Sequence, residues 1–283
     1  MNNLIDTHQH LIYRNQCSYD WTSEIPLLSK NDFTINDYQK LTNNLSVVAS
    51  LFMETGVDDL DYKKEFYFIN DLKKLTDNNI KGIISSIRPE INNDFDSWLE
   101  EATEKGALGF RRILHVTSNE LSQSNIFRKN IRKIGNIGKT FDLCFLQDQL
   151  PLAIDLANAC DNTNLILNHC GVPNINKDFF DSWKKNISNL SKIPNVNCKL
   201  SGLMAYCPEG TSSFEKIKPY VDHVLNCFGS KRIVWGSDWP VVNLGKGLQE
   251  WINVTNRILD NLSQDEASDI AFANAIRIYK INL

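Results

Sequence analysis

Eight short apolar runs recur along this chain of 283 residues, and after most of them the apolar residues change to the three-or-four spacing of a helix. The runs are Leu4–His10, Ser46–Met53, Ile80–Ile87, Ala107–Leu114, Thr140–Leu146, Leu165–His169, Val196–Leu200 and Ile233–Ser237. Helical spacing follows at Tyr62–Leu75, Phe95–Lys105, Phe127–Ile137, Pro151–Cys160, Phe179–Leu190 and Phe214–Cys227, and Gly106 marks a helix end. Strands alternating with helices must pair in parallel, so eight units predict an α/β fold of one kind, a closed (β/α)8 TIM barrel. An open doubly wound sheet is the alternative, but no Gly-x-Gly-x-x-Gly follows a strand and no phosphate-binding loop is present. Ser263 and Glu266 form a capping box for a C-terminal helix over Ala267–Tyr279, expected to pack outside the barrel. With no repeat or linker, residues 1–283 read as a single domain.

Composition narrows the partners. A formal net charge of −4 without a basic patch removes the footprint of a nucleic-acid binder. No run of about 18 apolar residues suggests a membrane span, and no basic-then-apolar leader precedes the first strand, so a cytoplasmic location is expected. Seven cysteines, an odd number without Cys-x-x-Cys spacing, fit reduced buried thiols. A homo-oligomer is compatible with all of this.

In such a barrel the chemistry sits where strands end. The first run ends in His8 and His10, two residues apart and therefore on one strand face. The sixth delivers His169 and the last Asp238, just before Trp239-Pro240. Imidazoles, a carboxylate and the Arg111/Arg112 pair suit hydrolysis of a carbonyl compound: one group takes a proton from water, others polarise the oxygen, and Arg holds an anionic substrate. The structural alternative is that Asp238 caps a turn and His169 satisfies backbone groups.

The segments Asp6–His10, Gly109–His115, Asn168–Pro173, Lys199–Leu203, Gly236–Val241 and Asn274–Tyr279 resemble, in order along nearly the whole chain, the lactonase branch of the amidohydrolase superfamily. That branch includes fuconolactonase, rhamnonolactonase, 4-sulfomuconolactonase and 2-pyrone-4,6-dicarboxylate lactonase. The resemblance implies a barrel hydrolase that opens a small lactone, sugar-derived or carboxylated, with Asp238 as general base and His8, His10 and His169 around the carbonyl. A metal-dependent decarboxylase of the same superfamily and a silent sugar-acid binding barrel are the rival readings.

In the wider superfamily the His-x-His pair and the last-strand Asp bind zinc with further ligands from strands four to six. Here strand five has no histidine and strand four carries arginines, so a two-metal site is not expected. The cofactor expectation is none, or one divalent ion, zinc foremost, held by His8, His10, Asp238 and Glu54. Substrate contacts are expected from Arg112 and His115, with Arg111, Lys199 and Trp239 as further candidates; only one of the two arginines can face inward. Trp235 is expected to pack between barrel and helices, and Tyr13, Tyr19 and Trp21 of the long first loop to line the pocket.

Overall fold

The computed structural model describes residues 3–75, 78–175 and 179–283. Eight parallel strands form one sheet in the order β1 to β8: Leu4–Gln9, Val47–Met53, Ile80–Ser86, Ala107–Ile113, Thr140–Cys144, Asn164–Leu167, Val196–Leu200 and Ile233–Trp235. The seam between β8 and β1 is joined by a parallel bridge from Gln9 to Trp239, with the Asp238 N–H donating to the His8 carbonyl and the His10 N–H to the Trp239 carbonyl, both at 2.8 Å. The chain therefore closes into a (β/α)8 barrel, as the alternation requires.

Helices follow the strands: α1 (Ile35–Thr42), α2 (Tyr62–Lys74), α3 (Asn92–Glu104), α4 (Asn125–Asn136), α5 (Leu150–Ala159), α6 (Phe180–Ser191), α7 (Phe214–Phe228) and α8 (Gly247–Leu259). Of these, α1 and α8 were not foreseen. Helix α1 opens with a Thr34/Asp37 capping box, a signal in the sequence that the neighbouring irregular loop hides. Gly106 has φ +99, the left-handed turn expected past α3. The stretch from Tyr13 to Phe33 is the expected long loop, with one 3-10 turn at Asp20–Thr22. No helix among the described residues is long and apolar enough to cross a membrane.

The tail forms α9 (Gln264–Ser268), a π turn (Asp269–Ala273) and α10 (Asn274–Tyr279), begun by the Ser263/Glu266 capping box. It lies beyond the strands, across the end of the barrel where they start: Asn274 donates to the Ile233 carbonyl, and Ile278 and Tyr279 join the interior cluster of Ile5, Leu51, Ile84 and Val234. The Tyr279 hydroxyl reaches Asp142 of β5 at 3.3 Å, so the tail also serves the barrel's polar interior.

The first four strands slip in register at several points, two of which bear on the site. Between Asp6 and Gln9 three residues of β1 pass two of β2, and between Ala107 and Gly109 two residues of β4 pass one of β3. Such bulges reverse the strict alternation of faces. Ile5 and Leu108 both touch the interior cluster, and a regular strand would then turn Thr7 and Arg112 inward; the groups that meet at the site are His8 and Arg111.

The seam itself is held by Asp6, fully buried. One carboxylate oxygen accepts from the Ser237 N–H at 2.8 Å and the His8 N–H at 3.0 Å, and the other from the Tyr38 hydroxyl at 2.6 Å. Asp6→Ala leaves three buried donors without an acceptor and should cost about 3 kcal/mol, whereas Tyr38→Phe removes one bond and should cost about 1 kcal/mol. Urea unfolding of the two variants checks the ratio; equal losses would remove the seam role from the carboxylate.

Candidate active site

A cavity of about 280 Å³ opens at the C-terminal ends of the strands, with His10, Arg111, His169 and Asp238 on its floor. The expected gathering of chain-remote groups occurs. His8 and His10 are side by side, their Nε2 atoms 3.1 Å apart, and Asp238 Oδ1 lies 3.7 Å from the first and 3.4 Å from the second. On the other side Asp238 Oδ2 lies 3.7 Å from His169 Nδ1, which also meets the Ser201 hydroxyl at 2.9 Å.

Two of these residues are presented by left-handed backbone rather than by extended strand tips. His169 has φ 51 and Asp238 φ 60, conformations L-residues adopt rarely and that persist where the surroundings impose them. Gly202 makes room for the second: with φ +66, it holds a position where a Cβ would come within 2.5 Å of Asp238 Oδ2.

The protonation pattern follows from burial. His8 is driven well below the usual imidazole range by burial, with Lys199 and His169 adding. Burial likewise pushes His169 down to about 4, against the pull of Asp238. Burial would raise the Asp238 carboxyl, but His169, His10 and Arg111 outweigh it and hold the group ionised. His10 Nδ1 donates to the Met53 carbonyl at 2.9 Å and its Nε2 is turned toward Asp238; His8 Nε2 receives Arg111 at 3.2 Å.

Two imidazole rings and a carboxylate thus converge in a buried space, with one ligand atom from each within 4.8 Å of the others. Asp238 Oδ2 and His8 Nδ1 have no hydrogen-bond partner. Neutral imidazoles facing each other beside a carboxylate are the donor set of a divalent ion, and the residues present fit one. Glu54, the expected fourth ligand, stands outside this group. Its Oε1 receives Arg111 Nε at 2.6 Å and its Oε2 receives the Gly56 N–H at 2.9 Å.

The other expectations divide. Arg111 is the inward guanidinium: besides Glu54 it reaches His8 and Asn168, at 3.2 and 3.4 Å. Arg112, the first choice for a substrate contact, instead pairs with Glu90 at 2.8 Å and faces Asp59, because the β4 bulge turns it away. His115 lines the cavity, its Nδ1 3.4 Å from the Cys144 thiol. Lys199 lies beneath the floor, wholly buried between the Thr7 carbonyl and Asp142, so it touches the barrel's interior and not the cavity.

Trp239, a further candidate for a substrate contact, does not line the cavity: its ring packs between barrel and helices, 5.6 Å from Phe33 and 5.4 Å from Tyr38. Trp235 packs where expected, donating to Thr255 of α8 at 2.8 Å. Of the loop aromatics only Trp21 reaches the cavity; Tyr13 caps α1 and meets Phe68 edge-on, and the Tyr19 hydroxyl accepts from the Tyr13 N–H. Sequence reasoning missed Tyr206, whose ring meets His169 edge-on at 5.7 Å, and Thr55, Val172 and Val241. Nothing in their spacing distinguishes them from core residues.

With the geometry in hand, comparison with known proteins adds the following. A family model described as amidohydrolase matches residues 5–281. The protein y4mH of Sinorhizobium fredii is 25% identical over 98% of each chain. The L-fucono-1,5-lactonase of Burkholderia ambifaria is 30% identical over 146 residues, 50% of each chain. Among solved structures, an amidohydrolase of Burkholderia multivorans superposes with a TM-score of 0.89 in a form with bound HEPES and 0.87 in a form with bound zinc; each covers 99% of both chains at 22% identity, a likeness of fold.

The electrostatics carry two tests. Glu54 and Arg111 neutralise each other in full burial, so Arg111→Met should cost about 3–5 kcal/mol by stranding the carboxylate. Arg112→Met, losing partly open pairs, should cost about 1 kcal/mol; urea midpoints decide, and equal losses would refute the assignment. Glu65, whose carboxylate accepts from the Thr55 N–H, is pushed up to about 8 by burial and by Glu54. A carboxyl raised by folding loses stability for the protein as pH rises from about 4.5 to 8. Glu65→Gln keeps the acceptor and should flatten that decline, gaining on the parent by up to about 5 kcal/mol between those limits. Parallel melting curves at all pH values would contradict this.

Proposed function

The chain belongs to the amidohydrolase family, and from that premise we propose that this hydrolase is a lactonase: water attacks the carbonyl of a small cyclic ester held over Asp238. The observation that carries the reading is the unpartnered Asp238 Oδ2, an ionised carboxylate oxygen buried at the cavity floor and facing His169. Half-length similarity to L-fucono-1,5-lactonase supports the same reaction class.

Asp238 takes the proton from water as the new C–O bond forms. Arg111 and His169 stabilise negative charge developing on the carbonyl oxygen. The ring C–O bond then breaks, and the proton held by Asp238 passes to the departing alkoxide, giving a hydroxy acid. His8, His10 and Asp238 would hold one divalent ion, a reading supported by the bound zinc in one form of the Burkholderia multivorans amidohydrolase. When bound, such an ion supplies Lewis-acid polarisation and lowers the pKa of water.

Acid release at constant pH, followed over a panel of lactones, is the direct assay. Asp238→Asn should lower kcat by about 10²–10⁴-fold while lactone binding persists. Carbon dioxide evolution from aromatic acids without lactone opening would favour a decarboxylase, and saturable binding with neither product a silent barrel. Elemental analysis should find about one divalent ion per chain, lost from His8→Ala/His10→Ala; full occupancy in that double variant would disprove the ligand set.

A further inference from the structure

We propose that the lactone this cavity accepts carries an apolar, uncharged substituent, alkyl or aryl, in place of the hydroxyls or carboxylates of a sugar-derived ring. The inference rests on the lactone-opening reading and names its substrate class. Above the polar floor the walls are Trp21, Ile113, Val116, Leu146, Val172 and Val241. Three of these stand unusually open for apolar side chains: Val116 is 71% exposed, Leu146 42% and Trp21 38%. Together they ring one mouth, the arrangement expected of a surface that a ligand covers.

Most polar atoms among the walls are already engaged, the Tyr206 hydroxyl and His115 Nε2 being the exceptions. Trp21 Nε1 donates to the Thr55 carbonyl at 2.9 Å, the Thr55 hydroxyl donates to the Leu11 carbonyl at 3.1 Å, and the Thr55 N–H is held by Glu65. His115 Nδ1 faces the Cys144 thiol. A ring bearing several hydroxyls would surrender its water there for few partners.

Among the described residues, no cation without a carboxylate partner of its own lines the cavity either. Arg111 is matched by Glu54, and Arg88 and Arg112 line a neighbouring cavity that shares Ile113 and Val116, where Asp59 and Glu90 neutralise them. Val172 adds an independent sign. It sits at φ 45, the last of four successive left-handed residues from His169, where glycine or asparagine would be relaxed and a β-branched side chain is strained. The fold keeps an isopropyl group against the cavity at that expense.

The test compares kcat/KM for lactones of one ring size bearing an alkyl chain, a phenyl group, hydroxyls or a carboxylate. The alkyl and aryl compounds should lead by about tenfold or more. Val116→Thr/Leu146→Asn should lower their kcat/KM by about tenfold and leave the hydroxylated compound unchanged or improved. Preference for the hydroxylated or carboxylated ring, or a variant that lowers all substrates equally, would overturn the proposal. If no lactone is opened, the lactonase reading fails, and calorimetry on Asp238→Asn still decides the pocket's preference. Tighter binding of the apolar rings supports it; equal, reversed or undetectable binding overturns it.

Discussion

A single buried carboxylate decides where this barrel closes. Asp6 lies at the join of the first and last strands with no solvent to share its charge, and burial raises its pKa against the pull of its hydrogen bonds. The three donors that compensate come from His8, Ser237 and Tyr38, that is, from β1 itself, from the end of β8 and from α1. Two of those donors are backbone N–H groups beside site residues: His8 is itself one, and Ser237 precedes Asp238. The bonds that shut the cylinder therefore also fix the separation of the groups that do its chemistry.

Two further buried charges stand behind the floor, each with a partner. Glu54 holds Arg111, and Asp142 holds Lys199 while receiving Asn168 at 2.7 Å. Asn168 in turn receives Arg111, so the two pairs are joined through one amide. Buried ion pairs of this kind add little net stability over apolar packing, because desolvation offsets the attraction. What they supply is position: a guanidinium with one allowed place, next to His8, whose imidazole is kept neutral by burial first and by the positive charges around it second.

The architecture was legible because it rests on repetition. Eight aliphatic runs and their helical successors need only local periodicity, and the residues delivered at three run ends, His8 with His10, His169 and Asp238, come together as their positions suggested. Which of two neighbouring side chains faces inward was not legible in β4, and the reason is specific. Counting by twos from Ile5 or Leu108 fails when a bulge inserts a residue, and bulges depend on pairing with the neighbouring strand, which no single run reveals. Arg111 and Arg112 were therefore open to either choice, and a residue off by one, as with Trp239, lands on the far side of the sheet.

The same dependence on context explains the walls. Catalytic groups announce themselves by type, since few roles other than chemistry gather histidines and carboxylates. Val172, Ile113 and Leu146 are residues any core would use, and only their placement on loops around an open mouth gives them meaning. The polar floor is shaped by what the reaction needs, whereas the walls answer to whatever the ring carries, so homology that fixes the first leaves the second free. A family can thus keep one reaction while its members part company over substrate, with the difference carried by side chains that look least functional in the sequence.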